Sequence, residues 1–201
     1  MKQVLFPAAA ALTLALPLAA NAQMLARDST LAGPYIGAAA GQAKARDACS
    51  GFAGVGITCD DKDTSWRLFG GYQLNRNFSA EVGYTDLGSS KANSPGGSAA
   101  FDAHAWELDG IGSIPITGGL SAYGKLGVYY GKIEGSGNVG ALSASASDTN
   151  TGLTFGAGAQ YDFTKNLGVR AEWQRYKDMG GDNVGKGDID NMMVGVLFRF
   201  Q

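Results

Sequence analysis

Histidine is nearly absent from this chain, cysteine and proline are scarce, and neither sign of charge dominates. His104 is the only histidine, and the residue that shares its face two positions on is Trp106 rather than a serine. Acyl-transfer chemistry needs a base beside an oxygen nucleophile, so the sequence offers no catalytic residue. No cluster of His, Cys, Asp and Glu has metal-ligand spacing, and no glycine-rich turn joins a strand to a helix as a phosphate loop requires. No metal and no cofactor are expected. With 16 basic and 18 acidic residues, nothing attracts nucleic acid. Five prolines among 31 glycines without a three-residue period exclude collagen. Beyond the N-terminus no apolar run reaches the roughly 18 residues of a spanning helix. If the chain enters a membrane, it must do so as a closed barrel.

What is present begins with export. Lys2 precedes an apolar run from Val4 to Leu18, and Ala20-Asn21-Ala22 places small residues at a cleavage site. Residues 1–22 read as a signal peptide cut after Ala22, residues 23–33 as a polar N-terminal leader, and residues 34–201 as a β-barrel. Export makes a disulfide the expected state of Cys49 and Cys59, which close a Gly- and Asp-containing loop. In the loop-entropy model such a bridge contributes roughly 2 to 3 kcal/mol.

Alternation of period two then recurs along the chain. The end, IDNMMVGVLFRFQ, sets Met192, Val194, Val196, Phe198 and Phe200 against Met193, Gly195, Leu197 and Arg199. Seven earlier stretches behave alike: Pro34 to Ala45, Thr64 to Leu74, Phe78 to Gly88, a fourth stretch through Trp106 that ends at Pro115, Leu120 to Lys132, Leu153 to Phe163, and a seventh from Leu167 through Gln174. Short turns at 75–77, 117–119 and 164–166 alternate with longer polar connections, among them Glu134 to Asn150 and Lys177 to Asp188, where Gly, Ser, Ala and Asp predict loops. Eight strands with long loops on one side and tight turns on the other predict an all-β, eight-stranded antiparallel up-and-down transmembrane barrel.

The two faces separate chemically. On the outward face Tyr72, Tyr161, Phe163, Phe198 and Phe200 fall near the tight turns, and Trp66, Tyr84, Trp106, Tyr130 and Trp173 near the long loops, as two aromatic girdles at two interfaces would. On the opposite face stand Arg67, Glu81, Glu107, Asp109, Lys125, Arg170 and Glu172. A soluble lipocalin-like barrel would place bulky apolar groups inward and charges outward, the reverse of this pattern. Eight strands leave an interior just wide enough for side chains to fill, and buried charges of mixed sign are expected to pair.

FGGYQLNRNFSAEVGYTDLG (69–88), IPITGGLSAYGKLG (114–127), FGAGAQYDFTKNLGVRAEWQRY (155–176) and the terminal FRF (198–200) resemble strands and turns of the membrane domain of the outer-membrane protein A family. The resemblance implies a barrel in a Gram-negative outer membrane, with loops outside and turns in the periplasm. It also implies lumen ion pairs, to which Glu81, Lys125, Arg170 and Glu172 contribute family-type charges. Ala39 and Ile111 stand where the family has lysines, and Gln160 stands for an acid, so the pairing is expected to differ. Full-length members continue into a peptidoglycan-binding domain, and the chain is expected to consist of the barrel alone.

These readings converge on a porin-like structural and display scaffold for envelope integrity, with its loops available for surface interaction. A narrow pore for ions or small solutes is the alternative, and a lipid A-modifying enzyme a more distant one. Expected partners are outer-membrane lipid, lipopolysaccharide and, during biogenesis, the barrel-assembly machinery. The sequence names no extracellular partner.

Overall fold

The structure, a computed structural model, describes residues 32–46, 58–60, 62–94, 97–139, 142–181 and 185–200. The signal peptide, the leader as far as residue 31, and Cys49 lie outside these residues, so the proposed bridge to Cys59 does too.

Nine strands form one sheet: β1 (Gly33–Ala45), β2 (Thr58–Asp60), β3 (Lys62–Gln73), β4 (Phe78–Ser94), β5 (Gly97–Thr117), β6 (Leu120–Val139), β7 (Leu142–Asp162), β8 (Leu167–Gly181) and β9 (Gly185–Arg199). Eight of them close a ring. Each pairs antiparallel with its neighbour from β3 through β9, and β9 returns to β1, which pairs β3. The three-residue β2 stands outside the ring, beside Lys91 to Asn93 at the top of β4. It lies within a stretch expected to be loop.

Closure fixes the tilt. A register line that leaves β3 at Gln73 passes Ser79, Ile111, Lys125, Gly156, Gln174, Asn191 and Ala43, and returns to β3 at Asp63, ten residues up the strand. A stagger of that size around eight strands inclines them by roughly 40° to the barrel axis. Residues at one height are therefore not register partners but lie about one position lower on each successive strand.

Alternation decides which side chains face outward. Ile36, Leu68, Val82, Leu108, Leu126, Leu153, Val194 and Val196 are exposed, Ile36 at 54% and Leu126 at 65%, whereas Tyr35, Phe69, Ile111, Tyr123 and Leu197 are buried inside. The wall is thus apolar outside. Inside, large residues lie across from glycine: Tyr35 opposes Gly71, Phe69 opposes both Gly37 and Gly83, Tyr123 opposes Gly158, and Tyr129 opposes Gly152. A Cβ at Gly158 would come within 2.5 Å of the Tyr123 ring, and one at Gly152 within 2.5 Å of the Tyr129 hydroxyl. The aromatic rings occupy the volume that the glycines leave, as in other curved sheets.

The upper connections depart from the sequence reading. The β4–β5 ladder continues through Ser94 and Gly97, the β6–β7 ladder through Val139 and Leu142, and the β8–β9 ladder to Gly181 and Gly185. Most of the expected loops at 134–150 and 177–188 are therefore strand, and β5 runs on past Pro115 to Thr117. Antiparallel pairing draws on backbone groups, which Gly, Ser and Ala supply as well as Val does. Where neither face packs on a core, no alternation is required, and none is written in the sequence.

Candidate functional site

The lumen is where the chain concentrates its chemistry. Arg67 on β3, Glu81 on β4, Glu107 and Asp109 on β5, Lys125 on β6, and Arg170 and Glu172 on β8 all point inward and are buried. Arg67, only 1% exposed, is at the centre. Its Nη2 lies 2.8 Å from Glu81 Oε1, 3.0 Å from Asp109 Oδ2 and 3.3 Å from Glu107 Oε2, and its Nη1 lies 3.1 Å from Glu172 Oε1. Lys125 Nζ approaches Glu172 at 3.0 Å and Asp109 at 3.2 Å, and donates to Gln174 Oε1 at 2.8 Å. Arg170 Nη1 meets Glu81 Oε2 at 2.8 Å, and its Nη2 donates to Gln160 Oε1 at 3.2 Å. Gln160 thus accepts the arginine without a second negative charge.

Neutral donors add hydrogen bonds to three of the four carboxylates, Glu81, Glu107 and Glu172. The Tyr123 hydroxyl donates to Glu172 at 2.7 Å, Tyr35 to Glu81 at 3.0 Å, Tyr176 to Glu107 at 2.6 Å, and Gln174 Nε2 to Glu107 at 2.6 Å; Thr85 also bonds Glu107. Arg170 additionally stacks over Tyr123 and Phe69, 4.9 and 5.0 Å from the ring centroids. Charges in a dry interior persist only when paired and hydrogen-bonded, and here four carboxylates share three cations and five neutral donors. The sequence places Tyr35, Tyr123, Thr85 and Gln174 inward by parity. Thr85 reaches Glu107 on the neighbouring strand β5, whereas the carboxylate partners of Tyr35, Tyr123 and Gln174 lie two or three strands away and leave no local signal. Ala39 packs with Tyr35, Phe69 and Leu197, and Ile111 is buried; both positions are apolar lining where a lysine would have extended the network.

Two regions flank the charges. Above them, Leu87, Ala105, Tyr129, Tyr176, Met179 and Ile189 form an apolar plug with Ala43. The β8–β9 hairpin supplies it by bending at a bulge between Tyr176 and Met179, with Asp178 at φ 52°. Below them, a cavity of about 310 Å³ opens toward the tight turns, lined by Ser79, Ile111, Ser113, Gln160, Asp162, Arg170 and Arg199 among others. Arg199 closes on Asp162 there at 2.8 Å.

The wall carries its aromatics in two bands. Near the turns, Tyr161 and Phe163 meet edge-on at 5.0 Å and Phe198 and Phe200 at 5.2 Å, with Tyr72 exposed. At the other end Tyr84 sits between Trp66 and Trp106, at 5.6 and 5.2 Å. Tyr130 is exposed nearby, and Trp173 packs edge-on against Phe155 at 5.9 Å. His104 lies outward beside Tyr84, 6.1 Å between centroids, within the band. Among the described residues no group of three or more His, Cys, Asp or Glu side chains could hold a metal, and no helix is long and apolar enough to cross a membrane.

Comparison with known proteins agrees with this architecture. The family model for the OmpA-like transmembrane domain matches residues 30–201. Outer membrane protein A of Yersinia pseudotuberculosis is 32% identical over 183 residues, and that of Salmonella typhi 30% over 182. Each alignment covers 89% of this chain and 51% of the relative, so the chain spans about half the length of these relatives. Among solved structures, neisserial surface protein A superposes with a TM-score of 0.60 at 20% identity, covering 84% of this chain and 97% of that one. The N-terminal β-barrel domain of Pseudomonas aeruginosa OprF superposes at 0.51 and 19% identity, covering 84% and 99%. With a closed eight-stranded wall, an apolar exterior between aromatic bands and a family match over all of its described residues, the chain belongs to the OmpA-like transmembrane domain family and resides in the outer membrane of a Gram-negative cell.

Proposed function

We propose that this barrel is a structural and display scaffold with a closed lumen. It contributes to envelope integrity through its wall and offers its strand-extended hairpins for surface interaction. The observation that supports this reading most directly is the lumen itself. Arg67 engages four carboxylates from three different strands, and the Met179 plug lies above. Breaking a buried pair by removing one partner costs about 3 to 5 kcal/mol, so an open channel would require several such ruptures at once. Lipid and lipopolysaccharide surround the wall, the barrel-assembly machinery is its partner during insertion, and it performs no catalysis. Residues 1–22 serve export, residues 23–33 a leader, and Cys49 and Cys59 a bridge outside the cell.

Planar-bilayer recording tests the closed lumen. Purified barrel is expected to insert without steady openings at neutral pH; regular unitary currents would replace this reading with the narrow pore. In that second case the lumen's four carboxylates against three cations predict preference for cations. Deletion of the gene is expected to raise detergent sensitivity without slowing uptake of small solutes.

A further inference from the structure

The charges that seal the lumen do not balance. Among the described residues, the buried charged side chains are three cations, Arg67, Lys125 and Arg170, and four carboxylates, Glu81, Glu107, Asp109 and Glu172. The nearest charged pair below them, Arg199 with Asp162, is matched within itself and leaves the count unchanged. With every carboxylate ionised, the cluster carries one negative charge in excess. A dry interior does not hold such a charge uncompensated.

Asp109 is where compensation falls short. Register sets Glu81 directly across from it on β4 and Gly127 across from it on β6, while Glu107 shares its face two residues away on β5. Like charges opposite one another repel, and a glycine side chain supplies no donor. Arg67 and Lys125 reach Asp109 Oδ2 at 3.0 and 3.2 Å, but both also serve Glu107 and Glu172. Tyr35 bonds Glu81, Tyr123 bonds Glu172, and Thr85, Gln174 and Tyr176 bond Glu107; Asp109 has no neutral donor among the described residues. Its Oδ1 is buried without a hydrogen-bond partner and nests over Gly127, where a Cβ would come within 2.3 Å of it. Glu81 Oε1 also lacks a hydrogen bond, yet Arg67 Nη2 stands 2.8 Å from it. Where carboxylates crowd one site, the least compensated of them takes up a proton. A proton needs no coordination shell, and no group of three or more His, Cys, Asp or Glu among the described residues could hold a metal ion in its place.

We propose that the folded barrel binds one proton at the Glu107–Asp109 pair, lodged on the Asp109 carboxyl, as the counter-charge that its lumen lacks. Occupancy makes the sealed cluster neutral. It also couples folding to pH: an unfolded aspartate releases its proton near pH 4, so the contribution to stability is complete below about pH 4 and is lost as pH rises through the value at which the folded barrel lets the proton go. Infrared spectroscopy of the full-length mature barrel in lipid vesicles at about pH 6, roughly two units above the ordinary aspartate value, reads the protonated-carboxyl stretch directly. One such band is expected, shifted when aspartate alone carries carbon-13 in its carboxyl, absent from Asp109→Asn and retained by Asp162→Asn. The folding equilibrium of the wild type, from urea unfolding, should fall relative to that of Asp109→Asn by up to about tenfold per pH unit above about pH 4. Heat-modifiable gel mobility establishes that each variant is folded, and the labelled wild type decides the matter even where Asp109→Asn does not fold. No band in the wild type, a band that shifts only with labelled glutamate, a band kept by Asp109→Asn, or a stability difference independent of pH would overturn the proposal. A band that emerges only when sodium is replaced by choline would assign the counter-charge to a metal cation and overturn it as well.

Discussion

Glu172 is the residue whose loss should be felt most. It receives the Tyr123 hydroxyl, Lys125 Nζ and Arg67 Nη1 within 3.1 Å, so Glu172→Ala strips a counter-charge from two buried cations at once. Such a rupture costs about 3 to 5 kcal/mol. Arg199→Ala breaks only a partly solvated pair with Asp162 and should cost about 1 kcal/mol or less. Urea unfolding of the barrel in lipid vesicles, followed by tryptophan fluorescence, is expected to separate the two variants; equal midpoints would show that the lumen pairs contribute little. This pairing scheme was not legible in the sequence. Parity tells that Arg67 and Glu172 face the same interior, but their contact joins strands 105 residues apart, and no spacing encodes it.

At the level of the strands, the seam between β1 and β9 is held by close backbone approach. A Cβ at Gly41 would sit 1.8 Å from the Met192 carbonyl oxygen, and that oxygen belongs to backbone that cannot rotate aside. Gly41→Ala should therefore destabilise the barrel by about 1 to 3 kcal/mol, read as earlier loss of the heat-modifiable band on warming. A second expectation concerns the β8–β9 hairpin. Partial burial acts to raise the Asp188 carboxyl, but hydrogen bonds from Lys177 and from the Asp178 amide outweigh it and hold the group below the usual carboxylate range. A depressed carboxylate stabilises above its unfolded value near 4 and loses that contribution as pH falls through its folded value. Hydrogen exchange at the Asp178 amide, corrected for intrinsic rate, should lose protection below about pH 4; protection that stays constant down to pH 2 would contradict this. The wall strands were readable because lipid on one face and lumen on the other impose a period of two. Their extensions beyond the girdle, such as Glu134 to Val139, have no such division and read as loop.

For the whole molecule, the ladder closes on itself and leaves no wall strand unpaired within the apolar band, which denies detergent and denaturant an edge at which to begin. The chain is expected to migrate as a compact species in unheated dodecyl sulfate gels and to shift to the mobility of a 20.7 kDa chain, or somewhat less after cleavage, only on boiling. One band at both temperatures would argue against closure. The fold class, strand number and facing of the charges were all available from alternation and turn spacing. The stagger of ten residues was not, because it is set by closure rather than by any single strand.

That stagger makes the bilayer an error-correcting medium. Since side chains alternate with a period of two, a slip of one residue at any seam would turn Arg67, Lys125 or Arg170 out into hydrocarbon and draw leucines into the lumen. Each exposed cation near the midplane costs about 2 to 4 kcal/mol, so a misassembled wall is expelled before it can settle, and only slips by even numbers of residues remain for the pairing of charges to reject.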